Sequence, residues 1–345
     1  MSKLSKAERL KKVKQFVTTY KTKAKKEGLD VSEHVLRMGL KDYPKIPTGV
    51  MAVDQLLGGG LPGGKITTIA GPEQTAKGTL AARAVGYNQR NLDGVACWVD
   101  AENALDMHWL DKQGVNVDEL LIVEKDTMEN MLDKTLAIIR EHLVDQVIID
   151  SIGALLPRAE VESKKGEQRS LNDDTIGLLQ RKMGQFLRLV CGPAAKTQTT
   201  IVMLGQIYQD INSYGGLELV KGGNAVKHFT HVRLMTRRGK KAESPTRKVD
   251  GKDVIAGFAS YIKLGKTRQS GTQPEGSETS CPFVFDVGFD DIGFLINKAI
   301  AKGSITRNGA VFNFGEFKAQ GMAKFRELVE SDEKVLDALG KDVLQ

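Results

Sequence analysis

Residues 71–79 read Gly-Pro-Glu-Gln-Thr-Ala-Lys-Gly-Thr, and they combine glycine, hydroxyl and lysine side chains in the manner of a phosphate-binding loop. The segment follows the apolar run Lys65–Ala70 and precedes Leu80–Tyr87, which is typical of a helix. Such a loop surrounds an anion with backbone N–H groups and a helix N-terminus. We therefore expect Lys77 to contact the β- and γ-phosphates of a nucleotide bound by Gly71, Pro72, Glu73, Gln74, Thr75, Ala76, Lys77, Gly78 and Thr79.

Two positions of this loop depart from the usual pattern G-x-x-x-x-G-K-[ST]. Ala76 adds a Cβ where the backbone approaches phosphate, which is tolerable if its φ is negative. Gly78 lacks the hydroxyl that normally ligates Mg²⁺, so Thr79 or a water would have to replace it. We expect nucleotide binding to survive both changes, while hydrolysis could be slow or normal.

Acidic residues follow two further apolar runs. Gln146–Asp150 is an apolar run that ends in an acid, and Asp150 could hold Mg²⁺ or its water. The run Cys97–Val99 leads into Asp100 and Glu102, and Glu102 could activate a water for attack on the γ-phosphate. The alternative interpretation is that Asp100 or Glu102 only caps the helix that follows.

The elements that must position these residues alternate between strand and helix patterns. We predict strands at 66–70, 95–99, 120–123, 146–150, 199–204, 231–236 and 259–264, and helices at 128–142 and 175–190. This alternation predicts an α/β fold with a mostly parallel sheet covered by helices. Ligands bind at the carboxyl ends of the strands in such sheets. The phosphate-binding loop and the acids Glu102 and Asp150 all come at or directly after such ends.

The pattern also suggests three parts. Residues 1–27 have basic and apolar residues at helical spacing, and we interpret 1–40 as a small N-terminal oligomerisation segment. Residues 41–280 would form the core. A smaller, more helical C-terminal α+β domain would occupy 281–345.

Composition sets limits on the function. The chain has 345 residues, of which 41% are hydrophobic and 27% charged, with a formal net charge of +7 that permits nucleic-acid binding. Its three widely spaced cysteines argue against a disulfide scaffold or a zinc site and fit a reducing cytoplasm. No apolar stretch is long enough to span a bilayer, and the N-terminus lacks an apolar signal core.

The motifs together resemble the RecA family of homologous recombinases, from about Lys45 to about Lys324. The matching segments come in the family's order and are Ile46–Gly49, Asp54–Gly64, Gly71–Glu73, Asp100–Asp106, Ile149–Glu160, Gly222–Lys227 and Val232–Arg238. The resemblance implies a RecA-like P-loop NTPase core with small appendages at both ends. It also implies ATP and Mg²⁺ as cofactors and a cytoplasmic location in a prokaryotic or phage-infected cell.

The resemblance assigns roles at the ATP site. Glu102 would be the catalytic glutamate, Lys77 would bind phosphate, and Asp150 would serve the metal site together with Thr79. Asp106 would contact the adenine amino group, with Trp109 stacking in place of a family tyrosine and Phe285 as a second wall. Gln206 would sense the γ-phosphate, and Lys266 and Arg268 would reach the ATP of the adjacent subunit.

The resemblance also implies two DNA-binding loops, at about 162–176 and 207–221, which bind the backbone without reading sequence. The DNA-binding residues would be Lys164, Lys165, Arg169, Ile176, Arg181, Arg188, Ile211, Lys221, Gly222, Gly223 and Asn224. The partners would be single-stranded DNA, double-stranded DNA and copies of the chain in a helical filament. Two alternatives remain open, a DNA-binding filament protein with a weak or inactive ATPase and a hexameric motor such as a helicase.

Overall fold

The computed structural model describes residues 6–26, 43–161, 177–209, 218–220, 222–249 and 252–344. The chain divides into two compact units, 1–44 and 45–345. In the first unit, the predicted N-terminal helix is present as α1 (Lys6–Lys26). Leu10, Val13, Phe16 and Tyr20 are exposed on this helix, and the last two stack with ring centroids 6.1 Å apart. An oligomerisation role for this segment stays a prediction.

The second unit contains the other elements. Its strands are β1 (Lys45–Ile46), β2 (Leu61–Pro62), β3 (Ile66–Gly71), β4 (Ala96–Asp100), β5 (Leu120–Val123), β6 (Gln146–Asp150), β7 (Thr200–Gln209), β8 (Glu218–Val220), β9 (Val232–Arg238), β10 (Thr246–Val249), β11 (Lys252–Ile255), β12 (Gly257–Thr267), β13 (Glu278–Val284), β14 (Gly288–Phe289), β15 (Thr306–Asn308), β16 (Val311–Phe314) and β17 (Phe317–Gln320). Its helices are α2 (Met51–Leu57), α3 (Lys77–Leu92), α4 (Met107–Lys112), α5 (Met128–Arg140), α6 (Arg158–Val161), α7 (Leu178–Thr197), α8 (Gly223–Phe229), α9 (Asp291–Lys302), α10 (Met322–Ser331) and α11 (Glu333–Leu344).

The main sheet has the strand order β14-β13-β12-β9-β3-β7-β6-β4-β5, and β8 pairs with β7. The strands from β9 to β5 are parallel, whereas β12, β13, β14 and β8 join antiparallel. The seven predicted strands all lie in this sheet, so the predicted α/β class with a mostly parallel sheet is confirmed. The parallel arrangement brings the carboxyl ends of β3, β4, β6 and β7 to one edge, which we call the carboxyl edge; the opposite edge is the amino edge.

Both faces of the sheet are buried, because successive side chains on a strand point to opposite faces. On β6, Ile148 belongs to the cluster that includes Leu80 and Val85 of α3. Its neighbour Ile149 belongs to the other cluster, with residues of α5 and α7. The strands are therefore held on both sides, and the loops at their carboxyl ends stand on a rigid base.

The C-terminal part packs three helices and a small sheet together. Strands β15, β16 and β17 form an antiparallel sheet, and Phe312 on β16 contacts Phe325 on α10 with ring centroids 6.0 Å apart. The main sheet extends past residue 281, the predicted start of the C-terminal domain, since β13 pairs with β12 and with β14. The three-part division of the chain stays a prediction.

Candidate nucleotide-binding and catalytic site

The segment between β3 and α3 folds back on itself around a lysine. Lys77 Nζ donates to Gly71 O at 3.0 Å and to Pro72 O. Thr75 Oγ1 donates to Pro72 O at 2.9 Å and lies 2.7 Å from Thr236 Oγ1 on β9. The loop thus has the closed turn of a phosphate cradle, with backbone carbonyls in contact with the ammonium group.

Ala76 lies in the left-handed region, with φ 66° and ψ 23°. The condition that its φ is negative is therefore not met. A side chain in this conformation costs about 1–2 kcal/mol relative to glycine. The loop keeps the backbone geometry for which glycine is usual and accepts this strain at Ala76.

Gly78 and Thr79 begin α3 in different surroundings. A Cβ built on Gly78 would meet nothing within 4 Å, so a serine or threonine would fit there. Thr79 is 7% exposed, and its Oγ1 accepts a hydrogen bond from Trp109 Nε1 at 3.2 Å. The Thr79 hydroxyl, which could replace the one missing at Gly78, is thus already hydrogen-bonded to Trp109. Its role as a metal ligand stays a prediction.

A cleft of about 440 Å³ gathers most of the residues predicted for nucleotide binding. Its lining from the sequence-based set is Glu73, Gln74, Thr75, Ala76, Lys77, Gly78, Thr79, Glu102, Asp106, Trp109, Asp150 and Gln206. These residues come from the ends of four parallel strands and from two helix N-termini. Gly71 and Pro72 meet Lys77 through their carbonyls, and Leu204 and Leu110 add apolar surface.

The aromatic contacts of the cleft differ from the sequence-based assignment. Among the described residues, Phe283 on β13 is the ring that contacts Trp109, with centroids 6.4 Å apart. Phe285 does not line the cleft; it is 44% exposed and contacts Phe258 at 6.2 Å. Phe283 and Phe285 have the same parity along the chain, so strand alternation in the sequence does not distinguish them; only Phe283 lies within β13, which ends at Val284.

The carboxylates of β4 and β6 lie side by side, because Asp100 and Asp150 are paired in register. Asp100 accepts from Ala104 N at 3.2 Å in the segment between β4 and α4. Glu102 accepts from the Ser151 hydroxyl at 2.6 Å. Since the N-cap of α4 is Asp106, the structure does not support the capping interpretation for either Asp100 or Glu102.

Burial and like charge perturb the ionisation of this cluster. Burial raises the pKa of Asp150 to about 7, the carboxylates of Glu102 and Asp100 act in the same direction, and Lys77 opposes them. Burial lowers the pKa of Lys77, while the carboxylates of Asp150, Glu102 and Glu73 oppose that shift. The cleft is a place where a further cation would stabilise the ionised carboxylates.

Gln206 and Asp106 both line the cleft. Gln206 lies on β7 in register with Gly71, and its Nε2 donates to Glu73 Oε1 at 3.4 Å. Beyond Gln206, β7 pairs with β8, which leads toward the turn at Gly222. Asp106 caps α4 by accepting from Trp109 N at 3.1 Å through Oδ1.

Lys266 and Arg268 lie at the amino edge of the sheet. Thr267 pairs with Val232 on β9, and Val232 pairs with Thr67 near the start of β3. Lys266 Nζ donates to Lys227 O at 2.6 Å at the end of α8. Because β3 rises about 3.3 Å per residue, these cations and the phosphate loop are roughly 17 Å apart along the strand.

A second cavity of about 300 Å³ lies at this amino edge and is lined by Lys65, His228, His231 and Arg268 among others. Burial lowers the pKa of His231 to about 4, and the charges of Lys65, Arg268 and Lys266 act in the same direction. This cavity is therefore lined by cations, whereas at the carboxyl edge Glu73, Asp100, Glu102 and Asp150 lie with Lys77.

The described part of the predicted DNA-binding set lies near α7 and α8. Arg181 and Arg188 are exposed on α7. Gly222 and Gly223 start α8 with φ 107° and 79°, and a Cβ on Gly222 would lie 2.9 Å from Ile152 Cγ2. Asn224 is exposed in the first turn of α8. The remaining predicted residues lie outside the described part of the chain and are Lys164, Lys165, Arg169, Ile176, Ile211 and Lys221.

Comparisons with known proteins match most of the chain to one protein family. The family model described as the RecA N-terminal domain matches residues 26–267. Protein RecA of Thermus thermophilus is 35% identical over 319 residues, which cover 90% of this chain and 88% of that protein. Protein RecA 1 of Myxococcus xanthus is 34% identical and protein RecA of Zymomonas mobilis 33% identical, covering 86% and 87% of this chain and 83% of each relative. Among the described residues, no helix is long and apolar enough to cross a membrane.

Proposed function

Because the chain belongs to the RecA family, we propose that it is an ATP-dependent homologous recombinase. It would form helical filaments on single-stranded DNA in the cytoplasm, pair with homologous double-stranded DNA and exchange strands. The observation that carries the proposal is the single cleft that holds Lys77, Glu102, Asp150 and Gln206 at the carboxyl edge. These side chains can bind a triphosphate, activate a water and report the state of the site to a neighbouring loop.

The chemistry at the cleft follows from its side chains. Lys77 now donates to two loop carbonyls, and it would turn its ammonium group to the β- and γ-phosphates when ATP binds. Glu102 is exposed at the cleft and would orient a water for in-line attack and take its proton. Asp106 and Trp109 would hold the adenine end.

The residues at the cleft also fit Mg²⁺, which would neutralise charge on the phosphate oxygens. Asp150 would bind the ion directly or through a water, because a nearby cation would stabilise the ionised form of its buried carboxyl group. The described residues contain no group of three or more His, Cys, Asp or Glu side chains that could hold a metal. The phosphates and waters must therefore supply most of the ligands, as is usual for Mg²⁺ at phosphate sites.

Lys266 and Arg268 would complete the site of a neighbouring subunit. They lie at the opposite edge from Lys77, so they cannot reach the phosphates bound by their own chain. A head-to-tail assembly would place the cationic amino edge of one copy against the acidic carboxyl edge of the next. Hydrolysis would then depend on assembly, in the manner of an arginine finger supplied in trans.

The cleft and the proposed DNA-binding surface are joined by a strand. Gln206 contacts the phosphate loop through Glu73, and the same strand β7 pairs with β8 next to the Gly222 turn. A γ-phosphate near Gln206 would bias this hairpin toward a DNA-binding arrangement. Arg181 and Arg188 on α7 would contribute phosphate contacts.

The test is ATP hydrolysis with and without single-stranded DNA, combined with electron microscopy of the same samples. We expect filaments and a turnover that DNA stimulates, and we expect Glu102→Gln to lower kcat by about 1,000-fold while ATP binding persists. Glu327→Gln is the matched control, because Glu327 is exposed on α10.

Three outcomes would contradict the proposal in different ways. Filaments without turnover would support a nucleotide-binding switch with an inactive ATPase. Closed rings would support a hexameric motor. Absence of both filaments and rings in the presence of ATP and DNA would overturn a DNA-dependent assembly altogether.

A further inference from the structure

We propose that Ser151 is a positioning residue for hydrolysis, which holds the carboxylate of Glu102 in its working orientation. The inference rests on the proposed ATPase function and concerns a residue outside the sequence-based site. Ser151 Oγ donates to Glu102 Oε1 at 2.6 Å. A short hydrogen bond to an ionised carboxylate is stronger and more directional than one between neutral groups.

The pairing of two strands makes this contact. β4 and β6 are parallel neighbours with Asp100 opposite Asp150. The ladder continues one step further, since Ala101 N donates to Asp150 O at 2.8 Å. Glu102 and Ser151 leave the sheet directly after this last bond, so their side chains start from a fixed common base.

The Ser151 hydroxyl is available because it does not cap the turn that it begins. Ser151 stands at the N-cap of the short 3-10 helix Ile152–Ala154 but makes no side-chain capping bond. Its backbone carbonyl accepts from Ala154 N at 3.1 Å, while its single O–H is given to Glu102. The serine thus uses its backbone for the turn and its side chain for the glutamate.

Burial of the donor gives the contact its positioning value. Ser151 is 5% exposed, whereas Glu102 is exposed and would otherwise sample several rotamers. Fixing Oε1 leaves Oε2 for the attacking water. A carboxylate held in this way needs less reorganisation when the water is activated.

The experiment compares Ser151→Ala, Ser151→Thr and the control Ser260→Ala, with and without single-stranded DNA. Ser260 is a buried serine on β12 whose hydroxyl has no hydrogen-bond partner among the described residues. Two readouts are combined, namely kcat and KM for ATP, and the dissociation constants of MgADP with and without aluminium fluoride. In the second readout, aluminium fluoride bound with MgADP mimics the phosphoryl group during transfer. This measurement therefore requires no turnover.

We expect Ser151→Ala to lower kcat by about 10- to 100-fold with KM changed less than about twofold. Its affinity for MgADP with aluminium fluoride falls about tenfold or more, and its affinity for MgADP alone is kept. Ser151→Thr retains the donor and regains most of both quantities. Ser260→Ala behaves as the wild type.

Unchanged kcat and unchanged analogue affinity in Ser151→Ala would overturn the inference. A loss of the same size in Ser260→Ala would also overturn it, because the effect would then come from losing any buried hydroxyl. If the wild type shows no turnover, the proposed ATPase activity fails, and the aluminium fluoride complex still decides whether the Ser151 hydroxyl supports the transition-state arrangement.

Discussion

The two edges of the main sheet differ in both charge and ionisation. At the carboxyl edge, burial and neighbouring carboxylates raise the pKa of Asp150 to about 7. At the amino edge, burial and neighbouring cations lower the pKa of His231 to about 4. The carboxyl edge thus gathers carboxylates around Lys77, whereas Lys266 and Arg268 lie with His231 at the amino edge. Under the proposed function, one copy of the chain would therefore carry two halves of a site that its own sheet keeps apart.

Among the changes that test this contrast between the edges, the largest expected effect comes from removing a cation at the amino edge. Arg268→Ala is expected to lower DNA-stimulated kcat by about 100-fold or more, because transition-state charge on the neighbouring copy loses its partner. Mixing Arg268→Ala with Lys77→Ala in equal amounts should restore activity at about a quarter of the interfaces, where an intact cleft meets an intact Arg268. Steady-state ATPase assays of the mixture measure this.

The control for that mixture is Arg247→Ala, which removes an exposed arginine on the β10–β11 hairpin. On its own, Arg247→Ala should have wild-type activity. When it is mixed with Lys77→Ala, the mixture should have no more activity than the same mixture made with wild-type protein. A mixture of Arg268→Ala and Lys77→Ala without any recovery, in filaments that form normally, would show that the two edges do not share a site.

The next effect concerns the pH dependence of folding without nucleotide or Mg²⁺. The pKa of Asp150 is raised from 3.8 to about 7, so the folded state binds more protons than the unfolded state between these values. The free energy of unfolding should therefore fall as pH rises from about 4 to 7, by on the order of 3 kcal/mol from this group. Asp150→Asn should remove this loss, as measured by urea unfolding at pH 5 and pH 8.

His231 should give the opposite dependence. Its pKa is lowered from 6.5 to about 4, so the unfolded state binds more protons in that window and stability falls as pH decreases. His231→Gln should reduce the loss on the acid side and leave the alkaline side unchanged. If both variants change the slope of the unfolding free energy against pH in the same direction between pH 4 and 7, the ionisation contrast between the edges is wrong.

The smallest effect tests the strained loop at the carboxyl edge. Ala76→Gly should raise the free energy of unfolding by about 1 kcal/mol, because glycine has no Cβ to oppose φ 66°. Gly78→Ala is the matched variant, since it adds a methyl group in open space within α3 and should also stabilise by about 0.5–1 kcal/mol. Urea unfolding measures both. Destabilisation by Ala76→Gly would show that the left-handed conformation carries no strain.

Much of the fold could be predicted because local burial patterns dictate it. The strands β5 and β6 have the bounds expected from their apolar runs, and the loop at 71–79 stands between a strand and a helix as expected. The helix predicted to end at Val190 continues to Thr197 instead. Its last turns pass Pro193 and bury Ala194, so packing extends the helix beyond the local pattern.

The residues that stand at strand ends could be predicted from the amino-acid sequence, because apolar runs and the residues of a phosphate loop are local properties. Which of those residues meet depends on the tertiary structure. The register of β4 with β6 brings Ser151 to Glu102, and the packing of β13 brings Phe283 to Trp109. The antiparallel direction of β12 relative to β9 places Arg268 at the edge away from Lys77. Such contacts depend on pairings between segments far apart in the chain, which no local pattern encodes.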